Sequence, residues 1–342
     1  MKNKIDSLKF LNNKKGERNM KKISVVGAGK MGAAMSYLLL KKRKRVEIWD
    51  RSPEILQGIQ KNQESPHLPG IKLSGIETEA KLEAILQDAD LLLLAVPSFA
   101  IREICQNLAK ITKVFPPFLM ISKGIERDTS LLPFQVVGEV LGEVSILHIT
   151  GVGYAQEVDK GIQVTEVLAS RKSSLLKEVK ELFENEWLTI ETTDDLLGTQ
   201  LAGALKNTMV IGIGILETLK PGLELREKLI AQGVREMVRL GKAMGAKRET
   251  FFGPAGKGDL EISADPRSRN YTLGKRLIQE GLEKVKKSLQ IQGITVEGFY
   301  TATAVRNLAK SFQVELPLVE LVNELLEGRN FQKIAQGLLS QI

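Results

Sequence analysis

The chain has 342 residues, 43% of them hydrophobic and 26% charged, with 49 Lys and Arg against 41 Asp and Glu for a net charge of +8. This length suggests two domains with an ordinary globular core. The single cysteine, Cys105, excludes an intrachain disulfide and points to a reducing, cytoplasmic setting; with only His67 and His148 beside it, no metal site of the His/Cys kind is expected.

Residues 1–19 come first and are basic, with six Lys/Arg and two acids. They lack the apolar centre of a signal peptide and are expected to be a disordered extension ahead of Met20-Lys21-Lys22. Ile23–Val26 reads as a strand, followed by a helix from about Met31 to Lys41. The run Lys41-Lys42-Arg43-Lys44-Arg45 then adds five positive charges. With these two segments set aside the remainder is near neutral, so the charge marks solvated stretches, and no nucleic-acid partner is expected.

Val46–Trp49 is a second strand, and Pro53–Lys61 looks helical. Leu91–Val96 is a near-continuous apolar run, as in a strand covered on both faces. Phe118–Ser122, Ser145–Thr150, Val164–Ala169 and Leu188–Thr192 read as further strands, with Ile101–Ala109, Leu131–Leu141 and Ser174–Glu184 as intervening helices. Strands alternating with helices predict an α/β unit over 20–192: a mostly parallel sheet with helices on both faces. From Thr193 the period becomes helical. Asp194 or Asp195 can cap a helix running through Leu216. Leu223–Met244, Val296–Ser311, Pro317–Leu326 and Phe331–Leu339 continue the pattern, predicting an all-α unit over 193–342. The longest fully apolar or Gly run, Met209–Leu216, falls short of the ~20 residues of a membrane span, so no membrane insertion is expected.

Gly27-Ala28-Gly29-Lys30-Met31-Gly32 fits G-x-G-x-x-G and sits between a predicted strand and a predicted helix, the setting of a Rossmann dinucleotide fingerprint. Gly27 permits the tight turn, Gly29 lets backbone approach a pyrophosphate, and Gly32 lets helix and strand pack closely. At the end of the second strand, Asp50 suits the ribose hydroxyls of NAD and Arg51 the 2′-phosphate of NADP, so the pattern leaves NAD and NADP both open. Lys206 lies among apolar and small residues, where poor solvation lowers an ammonium pKa and makes a usable acid/base. Asp259 follows a Gly-rich loop (Gly253, Gly256, Gly258) able to present a carboxylate inward. Lys123 ends a predicted strand, on the side where open α/β sheets bind ligands.

Several blocks in order resemble the NAD(P)-dependent glycerol-3-phosphate dehydrogenase family over about residues 21–325. They are the Gly27 fingerprint, Ala95-Val96-Pro97-Ser98, Ser122-Lys123-Gly124-Ile125-Glu126, Gly203-Ala204-Leu205-Lys206-Asn207, Gly256-Lys257-Gly258-Asp259-Leu260, Ser268-Arg269-Asn270 and Val296-Glu297-Gly298. The resemblance implies reversible hydride transfer between NAD(P)H and dihydroxyacetone phosphate, giving sn-glycerol 3-phosphate for glycerophospholipid synthesis, and it allows a homodimer. It makes Lys206 the proton acceptor when glycerol 3-phosphate is oxidised, Asp259 its charge partner, and Lys123 a second cation at substrate and nicotinamide. Arg269 and Asn270 match the phosphate-binding pair, with a guanidinium suited to two hydrogen bonds with phosphate; Asn207, Ser263, Ser268, Gly151 and Gly153 complete the implied substrate set. Helix capping is an alternative for Ser268 and Asn270. The implied cofactor set is Gly27, Gly29, Lys30, Met31, Gly32, Asp50, Arg51, Pro97, Lys123, Ala155, Arg269, Thr295 and Glu297.

The chain departs from the family pattern at Gly151-Val152-Gly153-Tyr154-Ala155, where bacterial members usually read Gly-Pro-Ser, an aromatic and Ala. A serine side-chain contact is therefore lost, while backbone N–H groups remain. Lys30-Met31, Pro254 and Ser263 are further departures, none removing a group that does the chemistry. Two alternatives stand beside the main reading: a related dehydrogenase of another substrate, ketopantoate reductase-like or acting on a hydroxyacid, and a non-catalytic NAD(P)-binding regulator.

Overall fold

A computed structural model describes residues 20–151, 153, 159–292 and 296–341; the expected extension at 1–19 lies outside them. The first half is built from β1 (Lys22–Val26), β2 (Arg45–Trp49), β3 (Glu77–Thr78), β4 (Leu91–Leu94), β5 (Phe118–Met120), β6 (Ile146–Gly151), β7 (Val164–Ser170) and β8 (Leu188–Thr193). These strands form one sheet in the order β3-β2-β1-β4-β5-β6-β7-β8. All neighbours pair in parallel except β6 and β7.

Helices α1 (Lys30–Lys41), α2 (Pro53–Asn62), α3 (Ile101–Ile111), α4 (Pro133–Leu141) and α5 (Ser173–Phe183) connect the strands. One apolar cluster joins α1 and α5 to alternate sheet residues such as Val25, Leu93 and Leu119, and another joins α3 and α4 to Val26, Leu92, Leu94 and Met120. Successive side chains of one strand thus feed opposite faces, which is why β1 and β4 are buried throughout. The alternation in the sequence anticipated this arrangement. It missed β3, a two-residue edge strand too short to leave a pattern. It also drew β4 and β5 two residues too long; after β4 the chain leaves the ladder ahead of Pro97, which has no N–H to donate.

The second half is helical: α6 (Leu196–Leu219), α7 (Leu223–Met244), α8 (Asp259–Ser263), α9 (Arg269–Glu280), α10 (Leu282–Gln292), α11 (Glu297–Ser311), α12 (Pro317–Leu326) and α13 (Gln332–Ser340). Of the two candidate caps for α6, Asp195 is the one used. Its Oδ1 accepts from Gly198 N at 2.9 Å, and its Oδ2 accepts from Lys247 N at 3.0 Å and Thr250 Oγ1 at 2.6 Å. Asp194 instead pairs with Lys247 Nζ at 2.5 Å.

Nearly every residue of α6 is buried, as expected of a helix apolar all round at the centre of a bundle. Among the described residues no helix is long and apolar enough to cross a membrane. Periodicity did not reveal α9 and α10: α9 is strongly polar, and only Tyr271, Leu273, Gly274 and Leu277 turn inward.

Close packing of α9 on α6 requires small residues at the crossing. A Cβ on Gly274 would lie 2.2 Å from Ile211 O, which is backbone and cannot swing away. Gly274→Ala gains about 1 kcal/mol of intrinsic helix propensity but must force the helices apart. A net loss of ~1–3 kcal/mol is expected from overpacking, read as a lower midpoint in chemical denaturation. A midpoint at or above that of the unaltered protein would show that the crossing is not tight.

Candidate active site

The crevice opens where β1, β4, β5 and β6 end and meet the bundle. At its β1 end the chain turns sharply into α1. Gly27 has φ +106°, and a Cβ there would lie 2.6 Å from Ala95 O. A Cβ on Gly32 would lie 1.9 Å from Gly27 O, so helix and strand approach as closely as backbone permits. At Gly29, by contrast, a Cβ would meet open space. Lys30 and Met31 begin α1, and no acidic residue occupies its first turn. Unpaired N–H groups and the positive end of the helix dipole therefore face the crevice with no acid on that turn to neutralise them, a setting that fits an anionic pyrophosphate.

Asp50 closes the other side of this turn. Its Oδ2 accepts from Ala28 N at 2.8 Å and its Oδ1 from Ser52 N at 3.0 Å, while Arg51 beside it is exposed. The carboxylate is held rigidly, with lone pairs left over for ribose hydroxyls. The glycine turn, the helix terminus and the adjoining acid together fit a dinucleotide.

At the other end of the crevice three elements bring charges together. Lys206 projects from the middle of α6, Lys123 follows β5, and Asp259 follows a wide π-type turn at Pro254–Gly258. Asp259 Oδ1 accepts from Lys206 Nζ at 2.9 Å, and Oδ2 accepts from Lys123 Nζ at 2.5 Å. Ser263, one turn along α8, accepts from Lys206 Nζ at 2.8 Å. Lys206 and Asp259 are buried, and Lys123 is partly open.

Burial lowers the Lys206 ammonium; Asp259 opposes this and Lys123 adds to it, leaving a pKa of about 8. For Asp259, burial acts upward, but the two lysines together hold the carboxyl below its usual range. His148 on β6 lies behind this cluster, with Nδ1 3.3 Å from Thr199 Oγ1, and burial together with Lys123 keeps its ring neutral, its pKa down at about 3.

Two further seams tie the sheet to the helices. Glu297, at the start of α11, accepts hydrogen bonds from the backbone N and hydroxyl of Ser98, which follows Pro97 at the end of β4. Burial raises the Glu297 carboxyl, against the pull of Ser98 and the Arg269 charge. Asn270 donates from Nδ2 to Asn207 Oδ1 at 3.0 Å and accepts from Gly298 N at 3.1 Å, joining α9 to α6 and α11. Arg269 is exposed at the first position of α9.

Ser268 accepts from Tyr271 N at 3.5 Å and is the N-cap of α9, so its hydroxyl has the capping job that stood as its alternative; Asn270 does not cap. Gly151 ends β6 with φ +150°, and Gly153 follows near β7. Ala155 and Thr295 lie outside the described residues. Ser98 was missed as a site residue because its partner Glu297 is 199 positions away.

Comparison with known proteins agrees with this geometry. The family model described as NAD-dependent glycerol-3-phosphate dehydrogenase N-terminus matches residues 22–176, and the corresponding C-terminus model matches 195–336. A glycerol-3-phosphate dehydrogenase (NAD(P)+) of Carboxydothermus hydrogenoformans is 38% identical over 312 residues, 89% of this chain and 92% of that protein. One from Bacillus cereus strain B4264 is 35% identical over 327 residues, covering 94% and 95% of the two chains. The crystal structure of glycerol-3-phosphate dehydrogenase from Coxiella burnetii superposes with a TM-score of 0.88 at 30% identity, covering 94% of this chain and 99% of that one. The chain therefore belongs to the NAD-dependent glycerol-3-phosphate dehydrogenase family.

Proposed function

We propose that the protein is an NAD(P)-dependent glycerol-3-phosphate dehydrogenase, interconverting dihydroxyacetone phosphate and sn-glycerol 3-phosphate. The observation that carries this reading is the Lys206–Asp259–Lys123 cluster at the end of the crevice opposite the dinucleotide turn. The nicotinamide, when bound, supplies or takes up the hydride at C2 of the substrate. Residues 20–192 would hold the dinucleotide, through the 27–32 turn, Asp50, Arg51 and Pro97, with Glu297 reaching across from the helical half. Residues 193–342 would supply most of the substrate contacts.

Lys206 is the acid/base. As an ammonium it donates a proton to the oxygen at C2 as that oxygen gains negative charge; as an amine it removes the hydroxyl proton in the reverse direction. Asp259 holds Lys206 in place and offsets part of the cost of burying its charge. Lys123 adds a second positive charge, so the cluster carries a net positive field toward an alkoxide or a phosphate. Arg269 offers the phosphate a planar fork of donors, with Asn207 and Asn270 alongside. The backbone of Gly151 and Gly153 and the hydroxyl of Ser263 complete the substrate side, and Ser268 acts by fixing the start of α9. A cytoplasmic homodimer supplying glycerol 3-phosphate for membrane glycerophospholipids fits this activity.

Lys206→Ala should lower kcat for dihydroxyacetone phosphate reduction by roughly 10²–10⁴-fold, while the protein still binds NADH by fluorescence titration. A variant with near-normal kcat would remove Lys206 from the reaction.

The depressed ammonium sets the pH dependence. Oxidation of glycerol 3-phosphate needs the neutral amine, so its rate should rise with pH through about 8. Reduction needs the ammonium and should fall through the same range. Profiles that rise together in both directions would contradict this assignment.

Arg51→Ala separates the cofactors. If Arg51 meets a 2′-phosphate, KM for NADPH should rise about tenfold, the size of one charge-assisted hydrogen bond, with KM for NADH nearly constant. Equal changes for both cofactors would mean that Arg51 does not distinguish them.

A further inference from the structure

One ionisable side chain beside the lysine–aspartate cluster has no task in the reaction above. Glu166 lies on β7, and the antiparallel register sets it opposite Gly151. The same strand packs against the 254–258 turn that presents Asp259. Glu166 is within electrostatic reach of the reacting groups: burial raises its carboxyl, Lys123 opposes the rise and Asp259 adds to it.

Two of the neighbouring residues, Gly151 and Gly153, bring no side chain of their own to this side of the crevice. A Cβ on Gly151 would lie 2.8 Å from Glu166 Cα, and a Cβ on Gly153 would sit 3.5 Å from Glu166 Oε1. The Glu166 carboxyl therefore extends into the space that a side chain at 153 would enter. No described residue hydrogen-bonds it. A partly buried carboxyl with unused hydrogen-bonding capacity calls for a polar partner.

The substrate offers three polar places: the phosphate, the oxygen at C2 and the hydroxyl at C1. Arg269, with Asn207 and Asn270, serves the first, and Lys206 the second. An acid is poorly tolerated beside a phosphate, and C2 is already occupied by the acid/base. The C1 hydroxyl can donate and accept, so it suits a carboxyl in either protonation state.

We propose that Glu166 hydrogen-bonds the C1 hydroxyl of dihydroxyacetone phosphate and glycerol 3-phosphate and determines specificity for that hydroxymethyl end. The assignment rests on the reaction proposed above.

The test pairs removal of the carboxyl with removal of the hydroxyl. Hydroxyacetone phosphate carries a methyl group where dihydroxyacetone phosphate carries C1–OH. The unaltered protein should favour the hydroxylated ketone in kcat/KM by roughly tenfold or more, because a site built to bond a hydroxyl rejects the analogue lacking it. In Glu166→Met, whose side chain has similar length and an apolar end, the two substrates should come within about threefold of each other. The change should fall on KM for dihydroxyacetone phosphate, leaving KM for NADH or NADPH within about twofold. Glu166→Gln, which keeps a donor and an acceptor, should restore part of the preference. If Glu166→Met keeps the original preference, or loses both substrates equally, the assignment of Glu166 is overturned while the reaction stands. If the unaltered protein fails to reduce dihydroxyacetone phosphate with either cofactor, the reaction and this assignment fall together.

Discussion

Asp259 is the constraint on which the site depends. One buried carboxylate accepts from Lys206 at 2.9 Å and from Lys123 at 2.5 Å. Neither Lys206 nor Asp259 could be buried there alone, because an unpaired charge in the interior costs several kcal/mol. Together the three satisfy one another and leave a net positive charge at a crevice suited to an anionic substrate. The two lysines differ in how far they are enclosed. Lys206 is enclosed by α6 and α8 and is depressed to about 8. Lys123 reaches in from the loop after β5 and keeps part of its side chain open.

That cluster is also the joint between the two halves of the molecule. Lys123 belongs to the sheet, Lys206 and Asp259 to the bundle. The Ser98–Glu297 pair makes a second joint at the end of β4, and the Asn270 bonds to Asn207 and Gly298 lock three helices behind it. Each polar contact uses a side chain that would otherwise be buried without a partner, so correct assembly of the bundle on the sheet and completion of the site become a single event. The close crossing at Gly274 serves the same end by letting α9 sit against α6, with Arg269 and Asn270 at its first turn.

Strands and helices of the first half were legible because their burial is simple. A strand covered on both faces is mostly apolar: Leu91–Leu94 is so throughout, and Ile23–Val26 is so but for Ser24, whose hydroxyl donates to Ile85 O. The glycine turn was equally plain: its backbone requirements leave no freedom at Gly27 or Gly32. Helices α9 and α10 were not legible. Their inward residues are few, and small or polar positions such as Gly274 and Asn270 earn their place through partners distant in the chain.

The sequence by itself determined the class of architecture and the position of the dinucleotide turn, and it singled out Lys206 as a lysine in an apolar helix, since each of these depends on local pattern. Only the tertiary structure decided which acid meets which base. It gave Asp259 two lysines, Ser268 a cap and Glu297 a serine on the opposite half. It also brought Glu166, outwardly an ordinary strand residue, beside Gly151 and Gly153. Pairings between elements more than a hundred residues apart follow from packing and register, and no local pattern encodes them.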